Sequence, residues 1–423
     1  MSHEKIETLI VGGGQAGIAM SEHLSKLGVR HLIIERDRVA ESWRSRRWDS
    51  LVANGPAWHD RFPNKTFSGI SPDGFASARM VADYFAEYAE QINAPMRCGV
   101  EALALCPWKD GFQVKTSEGS IEAANVVVAT GPFQRPVIPP VIPETAGIVQ
   151  IHSAAYRNPL QLPEGAVMVI GAGSSGVQIA DELRQAGRRV YLSVGPHDRP
   201  PRRYRGHDFV WWLGALGMWD AEAADPTMQH VTIAVSGAKG GHTVDFRQLA
   251  STGITLVGMT CSYQDGVMQI APDLAKNIAA GDANYLAMLD AADAYAVREG
   301  LDLPEEPEAR LIKPDPECIT DPVLELNLAD ASIKSIVWAT GYTQDFDWIK
   351  ADVFDPKGRP RHYRGVSTVP GLYFLGLPWL ARRSSSFIWG VWHDANYLAE
   401  HIAARQKETA LPGKPPMTDP LHT

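Results

Sequence analysis

The sequence of 423 residues predicts an α/β fold with two Rossmann-like dinucleotide-binding domains, one inserted into the other. Two glycine motifs support this prediction, Gly12-Gly-Gly-Gln-Ala-Gly17 and Gly171-Ala-Gly-Ser-Ser-Gly176. Each follows a short apolar run, 8–11 or 167–170, and precedes a segment with apolar residues at three- and four-residue spacing. A buried strand, a tight turn and a helix in this order form the unit that binds a dinucleotide.

Each glycine of these motifs has its own role in holding a dinucleotide. The first allows the tight turn, the second lets a pyrophosphate approach the backbone, and the third lets helix and strand pack closely. The phosphates then rest at the positive N-terminus of the helix. One such motif also arises by chance or for tight packing alone, but both motifs here are followed by a matching glycine turn, at Gly28 and Gly187. The predicted contacts from the two turns are Gly12, Gly14, Gln15, Ala16, Gly17, Gly171, Gly173, Ser174, Ser175 and Gly176.

The end of the second strand in the first unit predicts FAD. Glu35 ends the apolar run 31–35, eighteen residues after Gly17. A carboxylate at this position accepts hydrogen bonds from the ribose 2′-hydroxyl of a dinucleotide. Arg36, which follows it, is a further predicted contact to this cofactor.

The corresponding position of the second unit predicts NADPH. Val194 ends that strand without an acid beside it, and Arg199, Arg202, Arg203 and Arg205 follow within a dozen residues. A carboxylate would repel a 2′-phosphate, whereas an arginine fork binds one. Arg199, Arg202 and Arg203 are therefore predicted to hold the phosphate, and the alternative is a solvated loop.

The spacing of the motifs predicts that the NADPH-binding domain is inserted into the FAD-binding domain. The predicted boundaries are 1–145 and 336–410 for the two parts of the FAD-binding domain, 146–335 for the NADPH-binding domain, and 411–423 for a flexible tail. Within the NADPH-binding domain, about 205–316 is predicted to be an insertion of helix and loop, with a helix over 282–299. A lid, a dimer contact and a plain insertion all stay open as its role.

Two apolar runs that break at a glycine, 126–131 and 336–341, are predicted to be sheet edges where the chain crosses between the domains. Their last residues, Thr130, Gly131, Thr340 and Gly341, are predicted cofactor contacts. Further along, the run 371–376 predicts the strand that returns to the FAD-binding domain, and 387–405 predicts a helix behind it. Ser384, Ser385 and Ser386 are the predicted N-caps of this helix.

Composition and charge exclude several functional classes. The chain is 45% hydrophobic and 21% charged, which is typical of globular proteins, and its net charge is −9 without a long basic block. Nucleic acid and anionic membranes are therefore not expected partners. Residues 1–7 are polar and lead into the first strand, and no apolar run approaches the ~20 residues of a membrane-spanning helix, so we expect a cytoplasmic protein. The cysteines, Cys98, Cys106, Cys261 and Cys318, form no close pair, so neither a redox dithiol nor a metal site is predicted.

The order of these motifs along nearly the whole chain resembles the class B flavin-dependent monooxygenases, specifically the bacterial flavin-containing monooxygenase-like, single-component enzymes. That family carries a Phe-x-Gly-x-x-x-His-x-x-x-aromatic signature before the second glycine motif. Here Gly147, His152 and Tyr156 correspond to it, but Thr145 replaces the phenylalanine and one extra residue separates Gly147 from His152. The departure points away from the strict Baeyer–Villiger and microsomal-like branches. The family signature is thought to couple domains, so we expect a structural role for His152.

The resemblance also implies roles for residues near the flavin. Asn54-Gly55-Pro56 resembles a family segment whose asparagine helps to hold the oxygenated flavin, which makes Asn54 the predicted catalytic residue. The alternative is an ordinary Asn-Gly turn. The family places residues along the flavin and its pyrophosphate where this chain has Trp43, Arg44, Arg47 and Trp48, although a surface arginine cluster is the alternative for the charged ones.

The activity that the resemblance implies is monooxygenation with FAD, NADPH and O2. Hydride passes from NADPH to the flavin, a C4a-(hydro)peroxyflavin forms, and one oxygen atom is inserted into a small organic substrate, expected to be aromatic or to contain nitrogen or sulfur. Some of the aromatic residues are expected to line the substrate pocket, and the candidates are Trp211, Trp212, Trp379, Phe387, Trp389 and Trp392. The pair His393-Asp394 is interpreted as structural.

Two other functions remain open at the level of the sequence. One is an NAD(P)H:acceptor reductase of the quinone type, which shares the two nucleotide sites. The other is a redox sensor that binds dinucleotides without turnover. The substrate, the type of oxygenation and the oligomeric state, including a homodimer, are not determined by the sequence.

Overall fold

The computed structural model describes residues 3–222 and 232–409. Within these ranges the strands are β1 (His3–Val11), β2 (His31–Glu35), β3 (Met96–Cys98), β4 (Ala102–Trp108), β5 (Gly111–Thr116), β6 (Gly119–Val128), β7 (Arg135–Pro136), β8 (Val149–His152), β9 (Ala166–Ile170), β10 (Val190–Ser193), β11 (Arg203–Tyr204), β12 (His207–Asp208), β13 (Ile254–Val257), β14 (Thr260–Gln264), β15 (Val267–Ile270), β16 (Glu325–Asn327), β17 (Ile333–Trp338), β18 (Tyr342–Thr343), β19 (His362–Tyr363), β20 (Val366–Ser367) and β21 (Leu372–Phe374). The α-helices are α1 (Gln15–Lys26), α2 (Glu41–Ser45), α3 (Ala78–Gln91), α4 (Ser174–Gln185), α5 (Phe209–Ala215), α6 (Phe246–Ser251), α7 (Leu274–Glu299), α8 (Glu317–Thr320) and α9 (Ile388–Thr409).

The first large sheet has the strand order β19-β20-β21-β6-β1-β2-β3; β5 also pairs with β6, and β4 pairs with β5. Strand β1 runs parallel to both β2 and β6, and β21 runs parallel to β6. Leu9, Ile10, Val126 and Val127 on the two central strands are fully buried. Continuous apolar runs are required here because a parallel sheet is covered on both faces.

The second sheet is wholly parallel and has the order β13-β10-β9-β17-β8. Every residue of β9 is buried, and α4 packs against β9 and β10. Both sheets therefore contain the strand, turn and helix unit predicted from the glycine motifs. The prediction of an α/β fold with two Rossmann-like domains, one inserted into the other, is confirmed.

Two details of the predicted domain organisation are wrong. The boundary at 336 divides β17, although all of β17 lies in the second sheet between β9 and β8. The chain therefore leaves this sheet after Trp338. The strands that contain 126–128 and 336–338 are not sheet edges either, because β6 lies between β21 and β1 and β17 has a neighbour on each side. An apolar run predicts burial, and it is the central strands that are buried most completely.

The two crossings between the domains lie side by side. Strand β7, on the outward crossing, pairs antiparallel with β18, on the return crossing. The backbone N–H of Val137 donates to the carbonyl oxygen of Gly341, at 3.0 Å. The Gln134 amide donates to the Gly131 carbonyl oxygen, at 2.7 Å, and its oxygen accepts from the Asp345 N–H, at 2.6 Å. The domains are thus joined by a short two-stranded ribbon.

The region 205–316 is not simply an insertion. Its residues 254–257 form β13, the edge strand of the second sheet, so part of the region belongs to the nucleotide-binding unit. The predicted helix over 282–299 is confirmed, although α7 begins earlier, at Leu274. Side chains from α5 and α7 share an apolar cluster whose large members include Trp212, Trp219 and Tyr285.

At the C-terminal end, the predicted strand and helix are confirmed as β21 and α9. The predicted serine N-caps are wrong, because Arg383–Ser386 form a short 3-10 helix before α9 begins. The Ser385 hydroxyl accepts hydrogen bonds from the backbone N–H groups of Ala381 and Arg382, and so stabilises the preceding turn. The tail predicted over 411–423 lies outside the described residues.

Candidate active site

The first glycine turn joins β1 to α1 and presents open backbone. A Cβ atom on Gly12 would lie 2.5 Å from the carbonyl oxygen of Ala129, so only glycine fits beside the end of β6. A Cβ atom on Gly14 would meet no atom within 4 Å, because this residue faces open space at the N-terminus of α1. Exposed backbone at a helix N-terminus is the feature that receives a pyrophosphate.

Glu35 is fixed beside this turn by two backbone hydrogen bonds. Its Oε2 accepts from the N–H of Gly13, at 2.6 Å, and its Oε1 accepts from the N–H of Asp37, at 2.9 Å. Each carboxylate oxygen keeps a further lone pair for another donor. The turn and the carboxylate together fit the phosphates and the ribose of an FAD adenosine.

The second glycine turn, between β9 and α4, repeats this arrangement. A Cβ atom on Gly171 would lie 2.5 Å from the carbonyl oxygen of Ala339, which follows β17. Gly173 begins the turn into α4, and Ser174 is the first residue of that helix. The alanine of each Ala-Thr-Gly segment therefore lies against one glycine turn, which the sequence order alone did not indicate. The donors present fit a second dinucleotide.

Both glycine turns open on one cavity of about 2410 Å³, which we call the shared cavity. Sites for single drug-sized molecules measure ~300–1,000 Å³, so this volume is enough for two dinucleotides and a substrate. The predicted site residues that line it are Gly12, Gly14, Gln15, Ala16, Glu35, Arg36, Trp43, Trp48, Asn54, Thr130, Gly131, Gly171, Gly173, Ser174, Ser175, Thr340 and Gly341. Gly17 and Gly176 lie behind the turns, where a Cβ atom would collide with the carbonyl oxygen of Gly12 or Gly171.

The predicted arginine fork for the 2′-phosphate is not formed. Arg199 is only 6% exposed and is paired with Asp282, at 2.7 Å. Arg202 is only 1% exposed and is paired with Asp208. Arg203 is exposed and donates to the carbonyl oxygen of Gly240.

None of these three arginines lines the shared cavity. Both buried guanidinium groups form ion pairs with aspartates. The prediction failed because the sequence does not show which carboxylates pair with which arginines in the folded chain. Arg44, predicted to lie along the flavin, also stays outside the cavity and pairs with Asp83, at 2.9 Å.

Asn54 lines the shared cavity and is held by residues of the second domain. Its Oδ1 accepts a hydrogen bond from Nε2 of Gln178, at 3.0 Å, and its carbonyl oxygen accepts from Nη1 of Arg202, at 2.6 Å. Gly55, the next residue, donates its N–H to Oδ2 of Asp60, at 2.9 Å. The Asn54 side-chain NH2 has no acceptor among the described residues, so it remains a donor for a molecule in the cavity.

Arg47 lies in the cavity wall between two aromatic rings. Its guanidinium carbon is 5.2 Å from the ring centre of Trp43 and 5.3 Å from that of Phe133. Burial lowers the pKa of Arg47, and Tyr342 opposes this effect. Nη1 of Arg157 donates to the Arg47 carbonyl oxygen, at 3.1 Å, which fixes the segment. A partly buried cation without a carboxylate partner among the described residues suits a cofactor phosphate.

His152 joins the second sheet to the return crossing. Its Nε2 donates to the carbonyl oxygen of Gly341, at 2.9 Å, and its Nδ1 accepts from the N–H of Ala154. Burial lowers the pKa of His152, while the bond to Gly341 raises it. Both ring nitrogens are thus used by the backbone, in agreement with the expected structural role.

The predicted aromatic wall is only partly present. Trp379 and Phe387 line the shared cavity, whereas Trp211, Trp212, Trp389 and Trp392 do not. The His393-Asp394 pair is outside it as well, and burial raises the pKa of Asp394.

Four of the lining residues that sequence reasoning missed are His59, Asp60, Trp219 and Arg383. His59 and Asp60 lie within six residues of Asn54, and that proximity was a usable signal. Trp219 and Arg383 carry no motif, and only the fold brings them here.

None of the four cysteines lines the shared cavity, and all are free thiols. In residues 3–222 and 232–409 no cluster of histidine, cysteine and acidic side chains has the arrangement of a metal site. No helix in the same ranges is long and apolar enough to cross a membrane.

Comparisons with known proteins agree with this geometry. Residues 9–206 match the family model for pyridine nucleotide-disulphide oxidoreductases. An uncharacterized CzcO-like oxidoreductase of Geobacillus kaustophilus is 33% identical over 404 residues, which cover 94% of this chain and 98% of that protein. A probable indole-3-pyruvate monooxygenase, YUCCA4 of Arabidopsis thaliana, is 25% identical over 405 residues, covering 93% and 89%.

Among solved structures, a flavin-containing monooxygenase from Stenotrophomonas maltophilia superimposes with a TM-score of 0.66 and 17% identity. The match covers 95% of this chain and 99% of that chain. At this level of identity the likeness shows a shared fold.

Proposed function

The chain belongs to the CzcO-like oxidoreductases, enzymes of the class B flavin monooxygenase type that use FAD and NADPH, and on this premise we propose that it is a single-component monooxygenase. It would insert one oxygen atom from O2 into a small organic molecule, by way of an oxygenated flavin. The aromatic or nitrogen- or sulfur-containing nature of the substrate and the cytoplasmic location belong to the same proposal.

One observation carries the proposal. Two glycine turns, each with a helix N-terminus behind it, open on the same cavity, and Asn54 lines that cavity between the domains. A cavity that holds both cofactors would let NADPH reduce the flavin without a separate carrier protein. Bound FAD would accept that hydride from NADPH and then activate O2.

The residues of the chain would bind the two cofactors and orient them. Gly14, the N-terminus of α1 and Glu35 would hold the pyrophosphate and adenosine ribose of FAD. Gly173 and the N-terminus of α4 would hold the pyrophosphate of NADPH. Val194 is fully buried at the end of β10 and places no acid against a 2′-phosphate.

Asn54 is the residue that we assign to the oxygen step. Its side-chain oxygen already accepts from Gln178, so the amide NH2 is directed by that bond and is left to donate. A donor that is already fixed stabilises a developing negative charge without reorganisation. Arg202, which supports the Asn54 carbonyl oxygen, keeps the backbone in place.

The quinone-type reductase is the second candidate. The absence of a cysteine in the shared cavity argues only against a reductase that works through a redox dithiol. Two measurements separate the functions. First, NADPH should reduce the bound flavin in the absence of oxygen and so bleach its absorbance, whereas a sensor without turnover should show no such reduction. Second, turnover under 18O2 with a panel of amines, sulfides and aromatic compounds should give a product with one 18O atom in step with NADPH oxidation. Reduction of a quinone without any labelled product would overturn the monooxygenase proposal.

A further inference from the structure

His59 is a buried histidine of the shared cavity that is not among the residues assigned above to either cofactor. It is 7% exposed, and its Nδ1 lies 2.8 Å from Oδ1 of Asp60. Its Nε2 is buried and has no hydrogen-bond partner among the described residues. Buried polar atoms are normally satisfied, so this nitrogen calls for a partner that the polypeptide in these ranges does not supply.

Asp60 determines the tautomer of His59. Its second oxygen accepts from the Gly55 N–H, at 2.9 Å, and the buried Arg202 is close enough to interact with its charge. A carboxylate in this setting is an acceptor only, so Nδ1 of His59 carries the proton that it donates. In the neutral ring Nε2 is then left with a lone pair, and it accepts hydrogen bonds.

Aromatic rings pack against the His59 imidazole. Trp219 stacks on the His59 ring with centres 5.2 Å apart and planes inclined by 20°, and Trp58 meets the same ring edge-on at 5.6 Å. Phe387 meets Trp219 edge-on at 5.1 Å. Trp219 and Phe387 both line the shared cavity, as do Val210 and Leu213. Flat apolar walls of this kind favour a planar ligand.

The short 3-10 helix before α9 is hydrogen-bonded to the segment that carries Trp219. The N–H of Ser384 donates to the carbonyl oxygen of Trp219, at 3.2 Å, and the N–H of Arg383 donates to that of Ala221, at 2.9 Å. Asn54 is near the other side of the dyad, since Gly55 is bonded to Asp60. The dyad therefore connects the residue assigned to the oxygen step with the aromatic walls.

We propose that Nε2 of His59, oriented by Asp60, is the substrate-recognition atom of the site, and that the substrate is a planar aromatic molecule with an N–H or O–H donor at its edge. This inference rests on the proposed function, because it takes the ligand of the aromatic walls to be the molecule that is oxygenated. His59 is a binding residue here, and no proton transfer to it is required.

The test compares matched ligands with and without the donor. The FAD-loaded protein is titrated with phenol and anisole, 2-naphthol and 2-methoxynaphthalene, and indole and 1-methylindole, and binding is followed by calorimetry and by the flavin absorbance. The donor member of a pair should bind about five- to tenfold more tightly, the value of one hydrogen bond to a buried acceptor. His59→Phe keeps a flat ring and should abolish this preference, while Asp60→Asn should reduce it.

His207→Phe is the matched control, because His207 stacks on Trp211 outside the cavity and its loss should leave the preference unchanged. The melting temperature and FAD content of each variant show whether the fold is kept. Equal binding of the paired ligands, failure of every donor ligand to bind, or a preference that survives in His59→Phe would overturn the inference.

The two proposals fail separately. If 18O appears in a substrate that lacks a donor and His59→Phe has no effect, the monooxygenase stands and the recognition proposal falls. If NADPH never reduces the flavin, the monooxygenase falls, although the ligand titrations still report on His59.

Discussion

Nε2 of Gln178, on the first helix of the inserted domain, donates a hydrogen bond to Oδ1 of Asn54, a residue of the FAD-binding domain, over 3.0 Å. Arg202 supports the same residue through its carbonyl oxygen, at 2.6 Å. The proposed catalytic amide is therefore oriented by the domain that would carry NADPH. Substitutions in either domain are expected to reach the oxygen step.

Replacing Asn54 tests the oxygen step directly. Asn54→Leu should leave FAD bound and anaerobic reduction by NADPH largely intact, because neither glycine turn is altered. Loss of a hydrogen bond of ~1–3 kcal/mol should shorten the lifetime of the oxygenated flavin and raise the yield of hydrogen peroxide per NADPH. Rapid-mixing absorbance and peroxide assays measure both quantities. Wild-type values for both would mean that Asn54 is only a turn residue.

Gln178→Leu is the matched control for that experiment. It keeps the Asn54 amide but removes the bond that directs it, so we expect uncoupling in the same direction and of smaller size. If Gln178→Leu uncouples the enzyme more strongly than Asn54→Leu does, Gln178 itself contacts the reacting groups and the assignment of Asn54 needs revision.

Removing the Glu35 carboxylate should weaken FAD retention. Glu35→Ala loses the predicted hydrogen bonds to the ribose, about 1.5–3 kcal/mol for an ionised acceptor, and also frees the Gly13 and Asp37 N–H groups. The flavin-to-protein ratio after dilution and gel filtration measures the effect, with the exposed Glu118→Ala as the control. Full flavin occupancy in Glu35→Ala would contradict the assignment of the first unit.

The two neighbouring arginines at 202 and 203 should behave differently. Arg202→Ala leaves Asp208 buried without its partner, which typically costs about 3–5 kcal/mol of unfolding free energy. Arg203→Ala, at an exposed site, should cost little, and should not change the ratio of NADPH to NADH use. Chemical denaturation and flavin reduction kinetics check the pair. A large shift of cofactor preference in Arg203→Ala would show that Arg203 does bind the 2′-phosphate, as the sequence predicts.

His23 should make stability fall as the pH is lowered. It packs edge-on against Trp392, at 4.5 Å, and burial, followed by the charge of Lys26, lowers the pKa of His23 from 6.5 to about 4. Below pH 6.5 His23 is protonated in the unfolded chain, whereas in the folded chain it stays neutral down to about pH 4. The stability present above pH 6.5 is therefore lost progressively down to pH 4, by roughly 3 kcal/mol.

Denaturation curves of the FAD-loaded protein between pH 7.5 and 4 measure this loss. His23→Gln should flatten the dependence over that window, whereas the exposed His242→Gln should not change it. An identical slope in wild type and His23→Gln would show that His23 does not titrate in this way.

Much of the fold follows from local sequence patterns. The glycine motifs, the apolar runs beside them and Glu35 all act within about thirty residues, so their geometry is fixed by strand, turn and helix preferences alone. The same holds for the helix over 282–299 and the strand at 372–374.

Long-range pairing decided the features that the sequence left open or misplaced. An apolar run does not show which strands will pair with it. The central positions of β6 and β17 and the place of β13 in the second sheet are therefore known only from the structure. The arginines at 199 and 202 are charged in any context, but the aspartates that pair with them lie 83 and six residues away along the chain.

The sequence by itself determined the fold class, the two nucleotide units and their order, because each depends on contacts between near neighbours in the chain. Tertiary structure alone decided which side chains meet in the shared cavity. It brought Gln178 to Asn54, and Trp219 and Phe387 to the neighbourhood of His59, across separations of more than a hundred residues. Such meetings depend on the packing of whole domains, and no local pattern encodes them.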